Sequence, residues 1–214
     1  MKEGEKAMLP SSKDTRRRGS AVLEFALITV FTLPLLMGTF VIGMSLSRSI
    51  QVTQISRDAG HMYVRYVDFT QTGNQDIIVR LASGMGLTRT GGNGVVVLSK
   101  VMHIGDAECA SGGYPVGDNR CVNRNQDAFI QQLKIGDVSA RNSNFGTPSG
   151  VTLDANQAIT DYLTNSGARA ANVPSTITLN AGEIAFASEA FFRTPELDIP
   201  GYRSGTSVYA RTIF

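Results

Sequence analysis

The chain has no tryptophan, two cysteines and two histidines, and charged residues make up only 18% of its 214 positions. Each shortage excludes something. His61 and His103 have no partner at ligand spacing, so they offer no metal centre, which takes three or four such side chains. There is no GxSxG, no HExxH and no Cys/His dyad with an orienting acid, so catalysis finds little support. Glu183 and Glu189, six residues apart, would share one strand face at a separation of about 20 Å, too far for paired acid–base work. They are expected to decorate a solvent-facing row. Basic patches of the kind that track nucleic acid are also missing. Six of the 20 basic residues and three of the 18 acidic ones fall in residues 1–19, leaving 14 bases against 15 acids in the rest. The expectation is a chain that is not an enzyme, with no cofactor, no metal, no nucleic-acid partner and no evident small-molecule substrate.

What the sequence does contain is one long uncharged run. From Phe25 to Ser47 there are 23 residues without a charge, FALITVFTLPLLMGTFVIGMSLS. As a helix this run reaches about 34 Å, enough for a hydrocarbon core of about 30 Å. A cleavable secretory signal has an apolar core of roughly 7–15 residues. This run is longer, and Ser45-Leu-Ser47 is a poor cleavage site placed too late. The basic cluster Arg16, Arg17, Arg18 before the run predicts a cytoplasmic N-terminus, with everything after Arg48 translocated. Pro34, with Gly38 and Gly43 nearby, predicts a kink or loosened turn around 34–38. That turn would either be a tolerated irregularity of a membrane helix or a bend suited to packing in a bundle.

Glu24 stands directly before the charge-free run, at the start of the span, where a carboxylate is costly unless paired, protonated or interfacial. It stands five residues after Gly19, which itself follows the arginines. This arrangement, RRRGSAVLEFAL, resembles the processing site of type IV pilin precursors, and most of all the TadE-like minor pilins of the Tad (Flp, type IVb) apparatus. The close resemblance covers residues 16–60. It implies cleavage between Gly19 and Ser20 by a prepilin peptidase, with other pilin subunits and pilus platform proteins as further partners. It also implies a role for Glu24 in neutralising the new ammonium of Ser20 on a neighbouring subunit, which would set register. Location would be the bacterial inner membrane, with possible incorporation in a surface pilus. The alternative is an uncleaved single-pass protein whose outer domain binds a ligand, glycan or partner, with Glu24 merely interfacial.

The expected organisation follows: 1–19 a leader, 20–47 a transmembrane segment, 48–70 its helical continuation, and 71–214 an extracytoplasmic α+β domain. Residues 1–15 are polar and are expected to lack structure. Val52, Ile55, Ala59, Met62 and Tyr66 recur at spacings of three and four, predicting one buried helix face to about Asp68. Gln54, Arg57, Asp58, His61, Arg65 and Asp68 lie opposite. A second helix is predicted over Asp76–Ala82, with Asn74 as its cap and Gly84 as its stop. TRTGGNG (88–94) reads as a turn and not a phosphate cradle, because a strand follows it. Strands are predicted at Val95–Ile104, Ala128–Ile135, Glu183–Phe192 and Ser207–Phe214, forming a small antiparallel sheet packed on the long helix. Cys109 and Cys121 are read as one disulfide across the β-loop, two free buried thiols being the alternative. Residues 136–153 read as a surface loop and Asp154–Asn165 as a short helix. Phe214 is expected to be a sheet-edge cap or an assembly contact.

Overall fold

The computed structural model of the chain describes residues 13–173, 176–194 and 207–214. The expected unstructured leader lies outside the described residues as far as residue 12. From Lys13 onward the backbone is already helical. The first element, α1 (Lys13–Val64), is one helix of 52 residues. It begins seven residues before Ser20 because Lys13 to Arg18 contains no Gly or Pro, and its lysine and arginines are good helix formers. The helix passes through Pro34 without interruption. Within it, the segment from Ala21 onward is long and apolar enough to cross a bilayer. Val22, Phe25, Phe31, Leu35 and Phe40 are each more than half exposed, a display of apolar surface suited to lipid.

Beyond the apolar run, α1 becomes two-faced as its periodicity predicts. Val52, Ile55, Ala59 and Tyr63 are buried, while Gln54, Arg57, Asp58, His61 and Arg65 are exposed. Tyr66 corrects the expectation. It is not on the buried stripe but 77% exposed, and the helix ends before it. Its φ is +60°, and the Tyr66 amide bonds the Tyr63 carbonyl while the Val67 amide bonds that of Met62. This is the Schellman ending, with tyrosine where glycine is usual. The left-handed backbone costs an L-residue about 1–2 kcal/mol.

The next helix, α2 (Thr72–Leu81), starts earlier than Asn74. Asn74 does not cap it; its side-chain amide instead donates to the Asp68 carbonyl. Asp68 holds the preceding turn by accepting from the Thr70 amide and hydroxyl. Gly84 lies in a 3-10 turn (Ser83–Met85) that follows α2. The glycine set then forms a minimal antiparallel hairpin, β1 (Leu87–Thr88) with β2 (Gly91–Gly92). Gly92 needs its φ of +95°, because a Cβ there would overlap the Gly86 carbonyl.

Four strands make the main sheet: β3 (Gly94–Ile104), β4 (Gln126–Gly136), β5 (Ile184–Arg193) and β6 (Ser207–Ile213). All neighbours are antiparallel, in the order β4-β3-β5-β6. Alternation along each strand gives two differently covered faces. Val96, Leu98, Leu133, Ile135, Ala190 and Phe192 pack against the buried stripe of α1 and against Ile78 of α2. On the opposite face Val101, Phe129 and Ala187 meet Phe145, Ile159, Ala168 and Val173 from the long segment between β4 and β5.

That segment departs from expectation. No helix forms over Asp154–Asn165; the chain turns repeatedly, with only a 3-10 turn at Ser166–Ala168. Asp154 accepts from the amides of Asn156 and Ala158, and Asp161 from that of Thr152. Such side chains compete with the helix for the backbone. A short helix not foreseen, α3 (Asp106–Ser111), follows β3 instead, with Glu108 accepting from the Gly105 amide at its start.

Candidate functional site

The residues singled out by sequence fall in two places. Arg16, Arg17, Arg18, Gly19 and Ser20 lie in the first turns of α1 by their backbone. Glu24 is one turn further and exposed. Four residues along a helix amount to a rise of about 6 Å on one face, so positions 20 and 24 stand above one another. Around Glu24 the helix surface is apolar: Val22, Leu23, Phe25, Leu27 and Ile28 are all more than half exposed. A carboxylate set in that surface gains from any nearby positive group.

The second place is the disulfide. Cys109 and Cys121 are bonded, with Cα atoms 5.9 Å apart. Both are buried, and they tie α3 to the loop that leads into β4. Ile104, Ala128 and Leu163 surround them. Beside this cluster the Asn123 amide donates to the carbonyls of Tyr162 and Asn165, and Arg169 donates to the Asn123 side chain. The bridge thus belongs to a small hydrogen-bonded block.

Three features were not legible beforehand. The first is Glu189, expected on a solvent-facing row but 2% exposed. It faces the covered side of the sheet, where Lys134, Val97, Glu189 and Arg211 form one cross-strand row. Its Oε1 accepts from the Asn144 amide at 2.9 Å and from the Tyr209 hydroxyl at 2.5 Å. Burial first, and then this bond to Glu189, push the Tyr209 hydroxyl well above the ordinary tyrosine range. Desolvation lowers the Lys134 ammonium, with Glu189 opposing that shift. Glu183, by contrast, is exposed and accepts from the Asn180 amide. The two glutamates therefore do not form a row.

The second is the pair His103–Asp127, joined Nδ1 to Oδ1 at 2.8 Å across β3 and β4. Among the described residues no cluster of three or more His, Cys, Asp or Glu side chains is placed to hold a metal.

The third is a cavity of about 230 Å³ at the end of α1. Gln131, Lys100 and Phe186 make a row across β4, β3 and β5 beneath the last helical turn. The Lys100 ammonium lies 4.9 Å from the centroid of Tyr63 and 5.6 Å from those of Tyr66 and Phe186. Partial burial lowers its pKa, and Asp68 pulls it partly back. Tyr63 donates to Gln131 Oε1 at 2.9 Å, and Gln131 donates to the Asn156 carbonyl at 2.7 Å.

No protein family, curated protein or solved structure matches the chain.

Proposed function

We propose that the chain is a minor pilin of TadE-like type, a structural subunit of a Tad-type pilus or secretion apparatus. A prepilin peptidase removes residues 1–19, and Ser20 becomes the N-terminus. The apolar part of α1 lies in the bacterial inner membrane, with the sheet domain outside the cytoplasm. Other pilin subunits and platform proteins are its partners. The observation that carries this reading is Glu24: an exposed acid on an apolar helix, one turn from Ser20 and five residues after Gly19. Cutting after Gly19 places a free ammonium at the membrane surface. A carboxylate one turn along on a neighbouring subunit neutralises it where an unpaired charge would be expensive. The continuous helix and the small antiparallel sheet are consistent with such a subunit.

N-terminal sequencing of protein extracted from membranes tests the reading directly. The expected first residue is Ser20, and Gly19→Val should retain the full-length precursor. Mature protein beginning at Met1, or beyond Ser47, would remove the pilin assignment and favour an uncleaved or secreted chain.

A further inference from the structure

The cavity at the end of α1 has the character of a binding site, and its chemistry is specific. Lys100 stands in the middle of an apolar strand, half-buried, with three ring faces around its ammonium. Among the described residues no hydrogen-bond acceptor or ion-pair partner reaches that ammonium. Asp68, the nearest acid, is engaged by Thr70 and Gln71. The ring faces attract the ammonium but accept no hydrogen bond from its N–H donors, and an incoming anion would supply charge-assisted ones.

The walls add shape. Tyr66 is 77% exposed at the rim, held in a backbone conformation that glycine would adopt more easily. That conformation closes the end of α1, and it leaves the ring at the rim with its edge against Phe186 at 6.1 Å. Tyr63 is fixed by its bond to Gln131, which is fixed in turn by Asn156, so the wall is preorganised. At about 230 Å³ the cavity is smaller than the roughly 300–1,000 Å³ typical for drug-sized ligands, so it suits a single ring.

We propose that this cavity, bounded by Tyr63, Tyr66, Lys100, Gln131 and Asn156, binds a six-membered ring bearing one carboxylate. The carboxylate meets Lys100 and the ring lies against Tyr66. Two sources share that chemistry, an acidic sugar unit and an aromatic acid. The site is made of residues between 63 and 156 and does not depend on the pilin reading.

The test is ligand-observed NMR titration of the full chain in detergent micelles, with four probes: D-glucuronate, D-glucose, benzoate and benzamide. At least one acid should bind tenfold or more tightly than its neutral counterpart, and which acid does so identifies the source. Lys100→Gln should weaken that binding at least tenfold. Tyr66→Gly should do the same while easing the backbone, so its loss of binding is not a loss of fold. Equal binding of acids and neutral counterparts, or undiminished binding in either variant, overturns the proposal.

Discussion

The ring of Phe214 lies directly against the α-carbon of Gly60, and a Cβ at position 60 would overlap it. Neither partner is free to retreat. Phe214 and Phe186 exchange both backbone hydrogen bonds, each 2.9 Å, and the Phe214 ring also meets that of His61 in a tilted contact at 4.7 Å. Phe214 is therefore a sheet-edge residue locked onto the helix. Gly60→Ala should gain up to about 1 kcal/mol in helix propensity and lose about 1–3 kcal/mol to overpacking. The expected net result is a lower Tm in thermal unfolding. Combining it with Phe214→Ala should cost less than the sum of the two single changes, and strict additivity would show that the ring moves aside freely.

Loss of the buried Glu189 carboxylate should loosen the segment over the outer sheet face. Glu189→Gln keeps an acceptor for the Asn144 amide and the Tyr209 hydroxyl. Glu189→Ala leaves both without that acceptor, at about 1 kcal/mol for each half-buried hydrogen bond lost. Hydrogen exchange at Asn144 should therefore accelerate far more in the alanine variant. Equal exchange in both variants would show that the carboxylate is not what holds the loop.

The same layer should weaken in acid. Asp161 is pushed up by desolvation, but bonds from Asn165 and Thr152 outweigh that and hold its carboxyl below the ordinary range. A carboxyl with a depressed folded pKa contributes stability above its unfolded value of about 3.9, and that stability is lost as pH falls through the folded value. Protection of the Thr152 amide should decline below about pH 4. In Asp161→Asn the decline at that amide should be absent.

Reduction of Cys109–Cys121 should destabilise the sheet domain by about 2–4 kcal/mol and, on the proposed pilin reading, leave membrane insertion intact. A thiol reagent should find no reactive thiol in the denatured, unreduced chain and two after reduction. Two thiols without reductant would show that the bridge does not form in the cell.

On the proposed pilin reading, Glu24→Val should still be inserted and cleaved after Gly19, yet fail to support assembly. Immunodetection of surface filaments checks this. Normal assembly in that variant would dispose of the charge pairing between Ser20 and Glu24.

Much of this architecture could be read along the chain, because local periodicity carried it. The apolar run, the two-faced continuation of α1, the strands and the bonded cysteines are each carried by one continuous stretch of sequence. What escaped depends on partners far away in sequence. Glu189 sits on the correct face of its strand, but whether that face is wet depends on residues 137–182, whose turns are set by side-chain bonds from Asp154 and Asp161. Tyr66 fits the helical spacing and yet falls one step past the helix, where the backbone reverses hand. The Lys100 cavity draws on residues 63, 66, 100, 131 and 156. Its only advance signal was a lysine inside the strand VVVLSKVMHI. The acid-bearing start of α1 was the reverse case, conspicuous in sequence because its spacing is entirely local.

The hydrogen bonds of Ser56 to the Ser188 carbonyl and to the Thr212 hydroxyl join stretches 132 and 156 residues apart. At a synthesis rate of roughly 5–20 residues per second, that interval is on the order of 10–30 s. For that time the newly made helix stripe is without the last strand of its sheet. Closure of the domain is thus a late event, timed by translation of β6.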